Sequence, residues 1–322
     1  MIRSRHFVRT AVLAMVAVLA AACGSAVQSM NAAPVTDAAW PTPAGVGGPD
    51  ATAGGDSDTR CNPLASLAPA GLDPSGPTLA KIKERGKLIA GVDQTTYLFG
   101  FRNPKTGKLE GFDIDLVNEI ATAIFGTADG HVQYRAITSS QREQVLMQHQ
   151  VDVVVRTYSV TCARREKVQF SSVYYVAGQK ILVPKSSKAQ SLTDLAGKRV
   201  CAAARSTSLA KIATDPAKPI AVSVPNWSDC LVMLQQAQVD AVSTDDTILA
   251  GMAAQDPTVK VVGEPMTQEN YGVGIPKDEE DLVRFVNAVL DKIRGDGTWA
   301  KSYQTWVGAR LGPAEPPSPQ YK

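Results

Sequence analysis

Residues 151–171, VDVVVRTYSVTCARREKVQFS, decide how the rest of the chain is read. Val151, Val153, Val154 and Val155 are too few and too β-branched for a helix, and they suit a short strand buried on both faces. Polarity then changes at once: Arg156, Thr157, Tyr158, Ser159 and Thr161 are followed by Arg164 and Arg165. Hydroxyl and guanidinium groups thus gather beyond the carboxyl end of a core strand. Open α/β sheets bind ligands at that edge, because the loops diverge there and leave a crevice. A guanidinium matches a carboxylate with two parallel charge-assisted hydrogen bonds. Arg164 is therefore expected to hold the carboxylate of a small anionic or zwitterionic ligand. The plainer alternative is a solvated arginine in the first turn of a helix.

Outward from this stretch, strands and helices alternate. Before it come a short helix through Leu79 and Ile82 that ends at Gly86, a core strand over 87–92 and a loop from Asp93 to Phe101. Asn103 to Gly107 is turn chemistry closing a hairpin. Phe112, Leu116, Ile120 and Ile124 recur at helical spacing, with Asp113 and Asp115 suited to that helix's amino end. A strand over 132–136 and a helix over 140–148 lead to the central strand. After Tyr174 and Tyr175 a second series follows. Strands are expected over 180–183, 199–202, 222–224 and 271–275, with helices over 209–213, 227–236, 280–294 and 298–307. Val239-Asp240-Ala241-Val242-Ser243 repeats the theme of Val151-Asp152-Val153-Val154-Val155. Alternation of this kind implies parallel sheets with right-handed crossovers. Two such α/β units, each with a polar loop after a core strand, suggest a ligand held between two lobes.

A chain of 322 residues suggests about two domains, with material for a core in each. The amino end has a basic head, Arg3, Arg5, His6 and Arg9, followed by an apolar run from Ala11 to Ala22 that is short for a bilayer span. It reads as a secretory leader over 1–22. Its end, Leu19-Ala20-Ala21-Ala22-Cys23-Gly24, resembles a bacterial lipobox, with the leucine four residues before Cys23 rather than the usual three. Cys23 is then the lipidated, palmitate-bearing amino terminus, and the protein is extracytoplasmic and anchored to the outer face of the bacterial cell membrane. The alternative is cleavage after an Ala-x-Ala site with Cys23 a bystander. Residues 23–76, rich in Ala, Gly, Pro and Asp, read as a disordered tether.

Without the leader, 30 basic residues face 31 acidic ones, and no basic block survives to neutralise phosphates, which argues against nucleic acid as partner. Only His6, His131 and His149 occur, and no Cys/His pair has zinc spacing, so neither a metal nor a cofactor is expected. Four cysteines remain beside Cys23. An even count in an oxidising compartment favours two disulfides, with three connectivities open. The preferred one joins Cys201 to Cys230, close in sequence, and leaves Cys61 to pin the amino-terminal segment to Cys162.

In order, Gly111-Phe112-Asp113-Ile114-Asp115-Leu116, Val151-Asp152-Val153-Val154, Thr161-x-x-Arg164, Phe170-Ser171-x-x-Tyr174-Tyr175, Asp194-Leu195-x-Gly197-Lys198-x-Val200, Ser206-Thr207-Ser208, Val239-Asp240-Ala241 and Tyr271-Gly272-Val273 resemble family 3 extracellular solute-binding proteins. These are amino-acid receptors of ABC importers, and the likeness is to the glutamine and glutamate branch. The resemblance implies an α/β, two-lobed periplasmic-binding-protein-like fold of type II, each lobe a mostly parallel sheet flanked by helices, joined by a two-strand hinge. Lobe 1 would take residues 77–174 and 272–322, and lobe 2 residues 175–271. It implies roles by position: Arg164 for the ligand α-carboxylate, Thr207 beside it from the second lobe, and Asp245 for the α-ammonium. Thr157 and Ser159 match small polar residues of the first lobe, and Asp93 the acid after the first strand. An enclosed zwitterion needs a partner for each charge, because unpaired buried charge is prohibitive.

Departures from the family pattern narrow the ligand. Arg156 stands where the family has glycine or alanine. Thr96 occupies the place of an aromatic wall, with Tyr97 and Phe99 nearby. Arg142 falls where similar acidic amino-acid receptors carry an arginine for the side-chain carboxylate. The extra cations imply glutamate, aspartate, glutamine or asparagine. The plainer alternatives are a surface helix arginine for Arg142, a loop arginine paired to a neighbouring acid for Arg156, hairpin packing for Tyr97 and Phe99, a helix cap for Asp245 and a helix-start hydroxyl for Thr207. Three functions follow from the resemblance: a monomeric receptor delivering a free polar amino acid to an ABC permease, a sensor presenting its closed form to a transmembrane signalling partner, and a periplasmic dehydratase. The expected cleft, mostly arginines, hydroxyls and Asp245, favours binding over turnover, since a dehydratase needs a general acid or base within reach of substrate.

Overall fold

The valine strand forms the middle of a five-stranded sheet whose order is Val132–Ala136, Leu88–Val92, Val153–Val154, Gly274–Ile275 and Gln169–Phe170. The first three run parallel, and Gly274–Ile275 returns antiparallel to both neighbours. A second five-stranded sheet repeats the plan with Ile220–Val224, Arg199–Ala203, Ala241–Asp245, Gln179–Pro184 and Val259–Val262. Its first three strands are again parallel, and Gln179–Pro184 is antiparallel to the strand on either side. The structure, a computed structural model, describes Gly47, Gly48 and residues 61–322; the leader and Cys23 lie outside the described residues.

The repeated Val-Asp theme has the same physical job in both sheets. Asp152 accepts from the Ile89 amide at 2.7 Å while its own amide donates to the Ile89 carbonyl. Asp240 accepts from the Arg199 amide at 2.8 Å and its amide donates to the Arg199 carbonyl. Each aspartate thereby fixes where the third parallel strand begins against the second, its neighbour in the sheet, and with it which side chains emerge at the carboxyl edge. Asp152 is further ion-paired to Arg85.

The chain crosses between the sheets twice, as Tyr175–Ala177 and Glu269–Tyr271, which pair antiparallel with Tyr271 opposite Tyr175. The single strand expected over 271–275 is thus two strands in different sheets. Gly272 and Val273 make the passage: the Gly272 amide donates to the Tyr158 carbonyl, and a Cβ on Gly272 would lie 2.8 Å from Val160. The crossing packs too tightly for any larger residue. Around the hinge Phe99, Phe112, Tyr174, Tyr175 and Tyr271 form a continuous buried ring cluster.

Residues 65–66 lie in the stretch expected to be a disordered tether over 23–76, and they form a strand. Ala65–Ser66 pairs parallel with Gln320–Tyr321, and Ser66 donates to the Phe170 carbonyl. Asn287, fully buried in the helix Glu280–Gly295, donates to Ser66 Oγ and to the Leu67 carbonyl. This segment is docked by strand pairing, by the Ser66 hydroxyl and by a backbone carbonyl, none of which composition reports. Both preferred disulfides are present, Cys61 to Cys162 and Cys201 to Cys230. Among the described residues no helix is long and apolar enough to cross a membrane.

Candidate functional site

Thr161 caps the helix Cys162–Lys167 by accepting from the Arg164 amide at 3.2 Å, so Arg164 sits in the first turn, directly behind the carboxyl edge of the first sheet. It is buried at 3 % exposure, which removes the solvated alternative. Its guanidinium donates to the Ser159 carbonyl at 2.6 Å and to the Arg205 carbonyl at 3.3 Å, so it touches the second lobe. Glu143 stands 3.8 Å from Nε and is shared with Lys167.

Beside it lies Arg142, also buried, with its guanidinium 4.3 Å over the Tyr158 ring; Arg164 lies 5.0 Å over the same ring. The aromatic face offsets two like charges held close together. Arg142 donates from Nε to the Ser139 carbonyl and from Nη1 to the carbonyls of Arg156 and Thr157. Burial and the neighbouring Arg164 lower its pKa to about 9. It is therefore no surface arginine, and part of its work is to hold the loop at 156–157.

Arg156 does something else. Fully buried, it pairs with Asp93 at 2.6 Å and donates to the Ile137 carbonyl and to Ser139 Oγ. Asp93 in turn accepts from the amides of Gln94 and Thr95 and from the hydroxyls of Thr95 and Thr96. The two residues, both expected at the ligand, are committed to each other and to loop backbone; this is the paired-acid alternative for Arg156. Phe99 is likewise not a pocket wall, since it is fully buried in the hinge ring cluster. Tyr97 packs edge-on against Phe101, which is the hairpin alternative. Its carbonyl also meets the helix Asp246–Gln255, where a Cβ on Gly251 would lie 2.4 Å from it.

Thr157 has a left-handed φ of 40°, rare for a β-branched residue, and its amide donates to Asp113 Oδ2 at 2.9 Å. Asp113 also accepts from the Tyr174 hydroxyl at 2.7 Å. The aspartate expected to serve a helix end thus serves the loop carrying Thr157, and burial pushes its carboxyl up to about 7 despite those two donors. Ser159 forms an isolated bridge with Tyr271 in the hinge, which ties the Arg164 loop to the crossing strands.

On the second lobe Ser206, not Thr207, caps the helix Thr207–Thr214, leaving the Thr207 hydroxyl free to donate to Glu269 Oε2 at 2.8 Å. Asp245 ends the strand Ala241–Asp245, and its side chain makes no capping bond to the helix it precedes. It accepts instead from the Tyr271 hydroxyl and stands 3.5 Å from Ser208 Oγ. Burial, Glu269 and Asp246 raise its pKa well above the carboxylate range, and Arg142 opposes them. Arg164, Arg142, Ser159, Thr157, Thr207 and Asp245 are thus gathered about one interlobe region, while Asp93, Arg156 and Phe99 lie behind it. Sequence reasoning assigned no role to Tyr158, Glu143, Glu269 or Tyr271. Glu269 and Tyr271 had one legible signal: at a spacing of two residues they share a strand face.

The comparisons with known proteins agree with this geometry. Residues 88–309 match the family described as bacterial extracellular solute-binding proteins, family 3. The chain is 36% identical over 256 residues to the ABC transporter glutamine-binding protein GlnH of Bacillus subtilis (strain 168), covering 79% of this chain and 93% of that one. It is 31% identical over 258 residues to the glutamate-binding protein GluB of Corynebacterium efficiens, covering 77% and 86% of the two chains. Among solved structures, an ancestral arginine-binding protein bound to glutamine superposes with a TM-score of 0.66 at 34% identity, covering 70% of this chain and 99% of that one. With the two mixed sheets, the double crossing and the polar interlobe region already in place, the chain belongs to the bacterial extracellular solute-binding proteins, family 3.

Proposed function

We propose that this protein is an extracytoplasmic receptor that binds a free polar L-amino acid of the glutamine, glutamate, aspartate and asparagine group between its lobes and hands it to an ABC permease. The observation that supports this reading is that buried arginines and a buried acid come from the two lobes, Arg164 and Arg142 on the first and Asp245 on the second, where burial disfavours the ionised carboxyl in the absence of a cationic partner. A zwitterion answers both signs, and closure then depends on ligand because neither lobe offers the full set. Glutamine- and glutamate-binding relatives support the ligand class. Arg142, buried beside Arg164 over the Tyr158 ring, is the residue that would favour a second ligand carboxylate.

The test is calorimetric titration of the soluble domain with a panel of free amino acids. Micromolar or tighter binding of at least one of the four is expected, and none binding would end the proposal. Arg142→Ala is expected to weaken glutamate and aspartate at least tenfold more than glutamine and asparagine; equal losses across the four would remove its part in selection.

The family is extracellular, and we further read Cys23 as the lipid anchor. Cys23→Ala is expected to abolish incorporation of labelled palmitate and release the protein into the medium. Unchanged labelling would refute it.

A further inference from the structure

Glu269 is a buried acid, 5 % exposed, in a crossing strand of the hinge, and nothing so far gives it a ligand role. Its two oxygens accept from the hydroxyls of Thr267 and Thr207, at 2.8 Å each. No basic side chain is within ion-pairing distance of it among the contacts of the described residues. Two positions on, Tyr271 extends from the same strand face to Asp245 and Thr247. Because Tyr271 donates to Asp245 and stands two residues from Glu269 on that face, the two acids are brought to the same side of the strand, and burial together with Glu269 raises the Asp245 carboxyl. Two buried acids therefore approach each other, with Thr207, Ser208, Thr247, Thr267 and Tyr271 around them. Arg142 is the cation that acts on Asp245 from the opposite lobe.

Like charges in a low-dielectric site repel strongly, and burying two carboxylates side by side is costly without a cation to share. An ammonium group has three donors and full positive charge, so it can satisfy two carboxylates and a hydroxyl at once. We propose that Glu269 is a second carboxylate of the ligand's ammonium seat: with Asp245 it forms a two-acid socket, closed by the Thr207 hydroxyl, that selects α-amino acids over analogues lacking the amine. Glu269 comes from the hinge strand and Asp245 from the second lobe, so an ammonium held by both would also tie the ligand to the hinge. The inference rests on the amino-acid receptor reading above, and adds to it the residue that enforces the amine.

The experiment compares wild type with Glu269→Gln by calorimetry, using L-glutamate and, in competition, 2-hydroxyglutarate, which keeps both carboxylates and replaces the amine by a hydroxyl. Glu269→Gln removes the charge, keeps an acceptor for one threonine hydroxyl and offers the other a donor, which that hydroxyl can turn to accept. L-Glutamate affinity is expected to fall at least tenfold, while 2-hydroxyglutarate affinity stays level or rises, so the preference for the amine collapses. A purely structural role would lower both ligands together and leave their ratio unchanged, and that result overturns the proposal, as does a loss of less than twofold for glutamate. If the wild type binds no amino acid, the receptor reading itself fails; if it binds and only the ratio is unmoved, the socket alone fails. Retention of the native melting temperature in Glu269→Gln separates either outcome from misfolding.

Discussion

Replacing Arg164 by alanine is expected to weaken amino-acid binding by roughly a hundredfold to a few thousandfold. Removing one partner of an enclosed ion pair costs about 3 to 5 kcal/mol, and about 1.4 kcal/mol corresponds to a decade in affinity. The geometry makes Arg164 a strong candidate for so large an effect. The Thr161 cap fixes the helix that presents it, the Tyr158 ring lies beneath its guanidinium, and its two donors already reach carbonyls on both lobes. Arg164→Lys keeps the charge and loses the planar fork, so it is expected to restore only part of the affinity. Titration of the two variants with L-glutamine and L-glutamate checks this; a change under threefold for Arg164→Ala would mean the guanidinium does not hold the ligand.

Substituting Arg156 should act on the fold rather than on ligand chemistry. Arg156→Met leaves Asp93 buried beside an apolar side chain, and breaking such a pair from one side costs about 3 to 5 kcal/mol. For a protein of this size, a fall in melting temperature on the order of 10 °C is expected. Both partners are inaccessible, with side-chain exposures of 0% and 4%, so solvent screening does not soften the loss. Pairing Arg156→Met with Asp93→Asn removes both charges and is expected to recover most of the stability, because the amide oxygen can still accept at the Oδ1 position from the Gln94 and Thr95 amides and the Thr95 hydroxyl, and the Thr96 hydroxyl can turn to accept from the amide nitrogen. A single Arg156→Met variant melting within about 2 °C of wild type would show that the pair is not what secures this end of the sheet.

The contrast between these two arginines shows where a sequence stops being informative. Both stand in the polar run after the same valine strand, and both carry the same charge. Arg164 has a local signature, since a threonine three positions earlier caps the helix that aims it. Arg156 has none: its partner lies 63 positions upstream, at the end of the neighbouring parallel strand, and only register brings them together. Phe99 was misplaced for the same reason, because a ring after a strand can face a crevice or the core equally well. Glu269 has no sequence signature of burial, because an acid flanked by Gln268 and Asn270 looks like surface. Its burial comes from the opposing hinge strand and the helix that begins at Thr207.

The elements were legible because hydrophobic period and turn chemistry are local. The Val-Asp repeats, the Asn103–Gly107 turn and the Gly86 helix stop each needed only a few neighbours to be read. The cysteine pairing preferred among three on sequence closeness is the one present. The split of residues 269–275 between two sheets, the docking of residues 65–66 on the far carboxyl end of the chain, and the commitment of Arg156 to Asp93 were decided by the tertiary structure alone. Strand pairing joins backbone groups irrespective of side chain, and a buried charge takes whichever partner the closed packing leaves within reach. Neither preference is written in the residues that flank it.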